Sequence, residues 1–199
     1  PLYSSAASDV YKRQILTYLG CQCDFRDNTV SVQSTEHSSC IIPDELMREM
    51  RSSVIFLGAV LGRFGECRLS FPGGCELGPR PIDMHLAALR KMGVTICEKY
   101  GMIKCRAEKG LKGAKITLQF PSVGATENIM LAGVLADGET EIRNAGREPE
   151  IADLAQYLNK CGAKIKGAGE STVFIEGVKS LKGCEYEVMP DRIAAATYI

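Results

Sequence analysis

The sequence predicts an α/β (α+β) domain that contains one structural unit three times, the first copy being incomplete. Glycines that follow predicted helices recur at Gly20, Gly93 and Gly162, with spacings of 73 and 69 residues. The tripeptide Leu-Lys-Gly occurs at 111–113 and again at 181–183, each time after a predicted hairpin. Because a period of about 70 residues exceeds the usual range of open repeat arrays, a closed domain with pseudo-three-fold symmetry is favoured.

The first copy is predicted to contain the end of a helix, a hairpin, a long helix and a strand. Their limits are 15–20, 21–25 with 29–33, 43–63 and 67–71. The hairpin is predicted from the turn residues Arg26-Asp27-Asn28 between two short strand-like runs. The long helix is predicted from apolar residues at helical spacing, namely Leu46, Met50, Val54, Leu57 and Leu61.

The second and third copies repeat this order. The second is predicted as helix 81–92, hairpin strands 94–98 and 102–106, strand 115–119, helix 122–136 and strand 139–144. The third is predicted as helix 149–161, a hairpin within 163–176, strand 185–189 and a helix from Asp191. Residues 55–62 and 129–136 are apolar on nearly all sides, which is typical of helices buried inside a domain.

Residues 1–14 share no pattern with the three copies that follow. Within them, the run from Ser8 to Gln14 resembles the in-frame translation of a sequencing adapter. We therefore interpret residues 1–14 as an artefact and leave them out of the fold prediction.

The chain carries no net charge, because its 24 Lys and Arg residues equal its 24 Asp and Glu residues. A protein that binds nucleic acid or anionic membranes would show a basic excess. No apolar run approaches the roughly 20 residues of a membrane span, and no secretory signal peptide is visible. Composition therefore argues against a generic nucleic-acid or membrane binder and favours a cytoplasmic protein.

The nine cysteines and two histidines do not form a metal-binding pattern. No Cys-x-x-Cys occurs, and the pair Cys21-x-Cys23 lacks a second pair to complete a zinc site. We therefore expect no bound metal. Eight of the nine cysteines are interpreted as small apolar residues in a reducing compartment.

The ninth, Cys75, lies in the stretch 72–85, Pro-Gly-Gly-Cys-Glu-Leu-Gly-Pro-Arg-Pro-Ile-Asp-Met-His. The glycines around it suit a surface loop. Arg80 offers a planar, always-charged group to phosphate or carboxylate, and Pro81 is predicted at the first position of a helix whose N-terminus favours anions. The residues alone leave three roles open for Cys75: nucleophile, general acid, or a loop residue without chemical function.

This stretch resembles the active-site loop of the enolpyruvyl transferases that act on UDP-N-acetylglucosamine. The matching residues are Pro72-Gly73-Gly74-Cys75 and Gly78-x-Arg80-Pro81-x-Asp83-x-His85. The resemblance extends from about residue 15 to residue 199. It implies transfer of the enolpyruvyl group of phosphoenolpyruvate to the 3′-hydroxyl of UDP-N-acetylglucosamine, without metal or organic cofactor.

The resemblance also implies the architecture. Members have two domains, each an inside-out α/β barrel of three βαβαββ units with helices inside and sheets outside. Residues 15–190 would form one such domain with a truncated first unit, and residues 191–199 would begin the crossover to a second domain. The lysine–asparagine pair, the second-domain catalytic aspartate and the phosphate-binding arginine of the family would lie outside this chain. We therefore expect no turnover by the chain alone.

The resemblance assigns roles to individual residues. Cys75 would be the general acid, form a covalent adduct with phosphoenolpyruvate, and be the sulfur that fosfomycin alkylates. Substrate-binding roles would fall to Arg51, Arg80, Pro81, Ile82, Asp83, Met84, Ser122, Val123 and Gly124. Supporting positions around the cleft would fall to His85, Glu148, Glu150, Asp191 and Arg192.

Simpler interpretations of these residues stay open. Arg51 can form a structural ion pair, and His85 can be a packed, hydrogen-bonded histidine. Ser122 is in any case a good N-cap, and the acids at helix starts are favourable there without a ligand. Phe120 stands where some family members carry a lysine, so that charge is missing here.

Two other functions also stay open. The enolpyruvyl transferase of the shikimate pathway shares the fold, but it does not carry the cysteine loop. A non-catalytic half-protein of the same fold would bind a UDP-sugar without turnover.

Overall fold

The computed structural model describes residues 3–35, 39–73 and 81–197. The described helices are α1 (Tyr3–Tyr18), α2 (Asp44–Glu49), α3 (Phe56–Phe64), α4 (Asp83–Lys91), α5 (Val123–Gly133), α6 (Pro149–Lys160) and α7 (Arg192–Thr197), with a 3-10 helix at Arg51–Ile55. The strands are β1 (Cys21–Arg26), β2 (Thr29–Ser34), β3 (Glu66–Ser70), β4 (Thr95–Lys99), β5 (Met102–Arg106), β6 (Lys115–Thr117), β7 (Glu139–Arg143), β8 (Lys164–Lys166) and β9 (Thr172–Glu176). No helix among these residues is both long and apolar enough to span a bilayer.

Counted from the strand that precedes each pair of helices, the third unit is complete and has the chain order β6-α5-β7-α6-β8-β9, so it begins in the second predicted copy and ends in the third. Its sheet has the strand order β6-β7-β9-β8, with β6 and β7 parallel and the other pairs antiparallel. The second unit repeats it with the strand order β3-β5-β4, and a parallel bridge from Ile41 to Arg68 takes the place of β6. Within the described residues, the first unit consists of α1 and the β1–β2 hairpin. The predicted repeat with an incomplete first copy is therefore confirmed.

The helix-ending glycines have the conformation that their position requires. Gly20, Gly93 and Gly162 have φ angles of 94°, 87° and 101°. These values lie in the left-handed region, which glycine adopts without the steric cost of a Cβ. Each glycine thus stops a helix and turns the chain into the hairpin of its unit.

Helices α3 and α5 form the centre of the domain and pack against each other. Leu57 and Leu61 of α3, and Ile129 and Met130 of α5, are at most 1% exposed. Full burial of one such side chain contributes roughly 1.5–3 kcal/mol. The sheets lie outside these helices, since their outward side chains alternate with buried ones.

The long helix predicted over 43–63 is wrong as a single element. Met50 is extended, with φ −147° and ψ 127°, and separates α2 from the 3-10 helix that leads into α3. The Ser53 hydroxyl is buried and lies 3.1 Å from the Met47 carbonyl oxygen and 2.6 Å from that of Met50. Serine competes in this way for backbone groups and favours helix ends over interiors. As a result, Arg51 begins a new element.

The strand predicted over 185–189 is also wrong, because these residues pair with no strand in the described parts of the chain. In the two longer units the first strand pairs in parallel with the strand that follows the next helix. An extended segment without a partner has no ladder of hydrogen bonds.

Helix α1 begins at Tyr3 and therefore includes most of the segment that was left out of the fold prediction. Ile15 is fully buried and Leu19, just beyond the helix, is 6% exposed. Tyr11 is partly buried against the same core. The C-terminal half of α1 thus packs onto the domain.

Candidate active site

A cavity of about 960 Å³ lies where the 3-10 helix, the start of α4 and the start of α5 meet. Its walls come from three separate stretches of the sequence. They are formed by Glu49, Met50, Arg51, Ser52, Val54, Ile55, Pro81, Asp83, Met84, His85, Phe120, Ser122, Val123, Gly124 and Glu127. Eight of the predicted site residues are therefore brought together: Arg51, Pro81, Asp83, Met84, His85, Ser122, Val123 and Gly124.

The start of α5 forms one wall. Ser122 is its N-cap, as predicted, and its Oγ accepts a hydrogen bond from the Ala125 amide at 3.3 Å. The Thr126 hydroxyl donates to the Ser122 carbonyl at 2.8 Å and accepts from the Gly146 amide at 2.9 Å. The amides of Val123 and Gly124 belong to the first turn, whose N–H groups lack intrahelical partners and attract anions.

The start of α4 forms a second wall, but it differs from the prediction by two residues. Pro81 was predicted as the first helical residue, whereas Asp83 is the first and Ile82 is the N-cap. Ile82 is only 3% exposed, so its side chain anchors this turn in the core. Pro81, Asp83 and Met84 line the cavity, and Ile82 does not.

Arg51 enters the cavity from the break that follows Met50. Its charge contributes to lowering the pKa of His85, which places the two groups within electrostatic reach of each other. Arg51 is thus the first residue after the break, and it forms part of the cavity wall.

His85 is 7% exposed, and its Nδ1 lies 2.8 Å from Nδ2 of Asn128. The pKa of His85 is lowered to about 4, mainly by burial and also by the charge of Arg51, while Asp83 opposes both effects. The imidazole is therefore neutral at neutral pH. A cation at this position is excluded, while one ring N–H is retained as a donor.

Glu127 lines the cavity and was missed by sequence reasoning. Its pKa is raised to about 7, mainly by burial; Lys12 counteracts this, and the negative charges of Glu150 and Glu148 add to it. The only sequence signal was an acid directly before an apolar helical run, which is also what an ordinary helix surface shows. Asn128 was missed for a similar reason.

The acids and the arginine predicted near the cleft lie beside the cavity and do not line it. Glu150 accepts two hydrogen bonds from Arg192, at 2.8 Å and 3.1 Å. Asp191 Oδ1 accepts from the amides of Ile193 and Ala194 and so caps α7. A Cβ built on Gly146 would lie 3.0 Å from Glu148 Oε2, so Glu148 packs beside that glycine. This group connects α6 to α7.

Cys75 and Arg80 lie outside the described residues. The described chain packs against α2 on one side of this loop and lines the cavity on the other. The Gly73 amide donates to the Met47 carbonyl at 3.0 Å, and a Cβ at Gly73 would overlap the Arg48 backbone. On the other side, Pro81 lines the cavity. Within the described ranges, no three His, Cys, Asp or Glu side chains meet as a metal ion would require.

The repeat and the cavity define a domain of the enolpyruvyl transferase class, and comparison with known proteins gives its family. The family model for EPSP synthase (3-phosphoshikimate 1-carboxyvinyltransferase) matches residues 7–199. The chain therefore belongs to the EPSP synthase family.

Curated relatives are similar over most of this chain. A UDP-N-acetylglucosamine 1-carboxyvinyltransferase 2 of Caldanaerobacter subterraneus subsp. tengcongensis is 52% identical over 186 residues, which are 94% of this chain and 44% of that protein. A UDP-N-acetylglucosamine 1-carboxyvinyltransferase of Nitratidesulfovibrio vulgaris is 50% identical over 186 residues, which are again 94% of this chain and 44% of that protein. The chain thus spans less than half the length of these relatives.

Solved structures show the same fold. The enolpyruvyl transferase NikO from Streptomyces tendae superposes with a TM-score of 0.78 at 22% identity, over 95% of this chain and 45% of that one. EPSP synthase from Acinetobacter baumannii superposes with a TM-score of 0.65 at 22% identity, over 87% of this chain and 40% of that one. The predicted inside-out α/β fold is thereby confirmed.

Proposed function

We propose that the whole protein transfers the enolpyruvyl group of phosphoenolpyruvate to the 3′-hydroxyl of UDP-N-acetylglucosamine in the cytoplasm. This is the first committed step of peptidoglycan synthesis. The observation that carries the proposal is the meeting of Arg51, the start of α4 and the capped start of α5 at one cavity. Relatives with 50% and 52% identity bear the name of this activity.

The cavity has the chemistry that a nucleotide sugar needs. Free amides at the start of α5, around Val123 and Gly124, suit the diphosphate. Arg51 adds a permanent positive charge, and its attraction to an anion is stronger in a partly buried site than in water. The first turn of α4, including Pro81 and Asp83, would hold the uridine. The Cys75 loop would bring Arg80 to the phosphate of phosphoenolpyruvate.

The reaction then needs one proton donor and one base. Cys75 would donate a proton to the methylene carbon of phosphoenolpyruvate while the sugar hydroxyl attacks the adjacent C2 atom and loses its own proton. A tetrahedral intermediate results. Removal of a proton from the new methyl group restores the double bond as the C–O bond to phosphate breaks. Positive charge around the phosphate would stabilise both steps.

We propose that the rest of the protein supplies what this chain does not contain. The lysine–asparagine pair, the catalytic aspartate and a further phosphate-binding arginine would lie there. Residues 15–190 would be one domain, and residues 191–199 would begin the crossover to the second. The chain alone would bind UDP-N-acetylglucosamine without turnover, with no metal or organic cofactor.

Fosfomycin labelling of the full-length protein tests this function. Treatment with fosfomycin and UDP-N-acetylglucosamine should add one adduct, which peptide mass mapping should place on Cys75. Cys75→Ser should remove the adduct, whereas Cys97→Ser should retain it, because Cys97 is an exposed thiol on β4. An adduct on another residue would contradict the assignment. Nucleotide-sugar binding without turnover in the full-length protein would favour the non-catalytic alternative.

A further inference from the structure

Asn128 lies at the crossing of α5 and α3 and is completely buried. Its Oδ1 accepts a hydrogen bond from the Gly58 amide at 2.6 Å. Its Nδ2 donates to the Val54 carbonyl at 3.0 Å and lies 2.8 Å from His85 Nδ1. One side chain thus connects α5 to the 3-10 helix, to α3 and to α4.

These partners determine which end of the Asn128 amide is nitrogen. The Gly58 N–H can only donate, so it must face the oxygen, and the Val54 carbonyl can only accept, so it must face the nitrogen. The amide orientation is therefore assigned from two backbone groups and does not depend on the histidine.

The same reasoning gives the tautomer of His85. Asn128 Nδ2 has two hydrogens, of which Val54 takes one and His85 Nδ1 faces the other. Nδ1 must then present a lone pair, because two N–H groups would repel each other. A neutral imidazole with a free Nδ1 carries its proton on Nε2.

The Nε2 edge of His85 faces the start of α5. A Cβ built on Gly124 would lie 3.3 Å from His85 Cε1 and 3.7 Å from Nε2. Because residue 124 has no side chain, this edge stays open to the cavity that both residues line. No acceptor among the described residues takes a hydrogen bond from Nε2.

We propose that Asn128 is a positioning residue that sets the tautomer of His85, so that Nε2–H is a neutral donor to a phosphoryl oxygen of the bound nucleotide. The identity of the acceptor rests on the proposed function, whereas the tautomer rests on the hydrogen bonds alone. The charged groups that line the cavity together with the ring are Glu49 at the end of α2, Arg51 on the 3-10 helix, Asp83 on α4 and Glu127 on α5. A neutral donor adds a hydrogen bond at the diphosphate without titrating near neutral pH.

Nitrogen NMR of the histidine-labelled chain tests the tautomer. The chain has two histidines, so His37→Gln assigns the remaining signals to His85. At pH 7 we expect a protonated Nε2 and an unprotonated Nδ1 in the unmodified chain. A protonated Nδ1 would overturn the proposal without any need for an Asn128 variant.

Asn128→Asp tests the cause. A carboxylate accepts the Gly58 hydrogen bond but cannot donate to His85, so it should move the ring proton to Nδ1 and raise the pKa of His85. Thr126→Val is the matched control, because it removes another fully buried polar group of α5 that does not touch His85. An unchanged His85 signal in Asn128→Asp, with native secondary structure, would overturn the proposal.

Titration with UDP-N-acetylglucosamine tests the donor role. Binding should shift the Nε2–H signal of His85, since a new acceptor lengthens that N–H bond. Binding that calorimetry detects but that leaves this signal in place would overturn the donor role. Absence of binding would contradict the proposed function instead, and the tautomer measurement would still decide the role of Asn128.

Discussion

The Gly58 amide donates a hydrogen bond of 2.6 Å to Asn128 Oδ1 across the crossing of α3 and α5. A Cβ at residue 58 would lie 2.8 Å from that oxygen and would overlap the Asn128 backbone oxygen. The two central helices can approach this closely only because residue 58 has no side chain. The same contact holds Asn128 in the orientation that faces His85.

Gly58→Ala should therefore destabilise the domain. Forcing α3 and α5 apart is overpacking, which costs about 1–3 kcal/mol and outweighs the better helix propensity of alanine. Urea denaturation followed by circular dichroism measures the change. Gly183→Ala is the control, since a Cβ at Gly183 meets nothing within 4 Å. Equal midpoints for the two variants would show that the helices are not in close contact at residue 58.

Thr140→Val should stabilise the domain. The Thr140 Oγ1 atom is buried without a hydrogen-bond partner among the described residues. Replacing an unsatisfied hydroxyl with a methyl group of the same shape removes a desolvation penalty of about 1–3 kcal/mol. Thermal unfolding should show a higher midpoint.

Thr126→Val is the matched change with the opposite sign. Thr126 is equally buried, but its hydroxyl donates to Ser122 and accepts from Gly146. Removal leaves the Gly146 amide unsatisfied, so the midpoint should fall. A loss of stability in both variants would indicate that Thr140 has a partner in solution.

Gly124→Ala should weaken nucleotide-sugar binding and leave folding intact. The added methyl group would press on the edge of His85 and cover the first turn of α5. We expect affinity to fall by roughly tenfold, which corresponds to about 1.4 kcal/mol. Calorimetry with UDP-N-acetylglucosamine measures it, and thermal unfolding should show an unchanged or higher midpoint. Undiminished affinity would place the diphosphate away from this turn.

Glu127 and His85 should have opposite effects on the pH dependence of stability. Burial raises the pKa of Glu127 from 4.5 to about 7, so the folded state holds this proton more tightly and stability falls as pH rises through that range. Burial lowers the pKa of His85 from 6.5 to about 4, so the unfolded state binds more protons between these values and stability rises with pH. The two slopes oppose each other between pH 4.5 and 6.5.

The variant Glu127→Gln separates the contribution of Glu127 to the pH dependence of stability from that of His85. Glutamine cannot ionise, so the variant should become more stable as pH rises from 4.5 to 6.5, while the parent chain should change less over the same interval. Urea midpoints at several pH values measure both. Glu185→Gln, at an exposed acid of the 177–191 segment, is the control that should follow the parent chain. Parallel curves for Glu127→Gln and the parent would show that Glu127 titrates normally.

Local chemistry predicted the Ser122 cap and the helix-ending glycines, whereas most of the candidate site residues came from the resemblance to a known family. The cap follows from the serine at the start of a helical run, and the glycines follow from the left-handed turn that commonly ends a helix. Asn128 was out of reach, because its partners are 43, 70 and 74 residues away in the sequence. Hydrophobic spacing identifies which side of a helix is buried, but it does not identify which distant backbone groups a buried amide will meet.

The incorrect elements have the same origin. The spacing of Leu46, Met50 and Val54 fits one helix, yet the Ser53 hydroxyl bonds to two carbonyls and favours a break. Residues 185–189 have a strand-like composition, but a strand exists only with a neighbour. In both cases the residue pattern is compatible with the predicted helix or strand, but contacts with other parts of the chain determine whether it forms.

The extended backbone at Met50 interrupts the helical phase between α2 and α3. In a continuous helix, one inserted residue would rotate everything beyond it by about 100°. Here the extended residue and the change to 3-10 geometry end that helical phase before Arg51. The direction in which the Arg51 side chain leaves the backbone is therefore set by the 3-10 helix and not by the helical phase of α2.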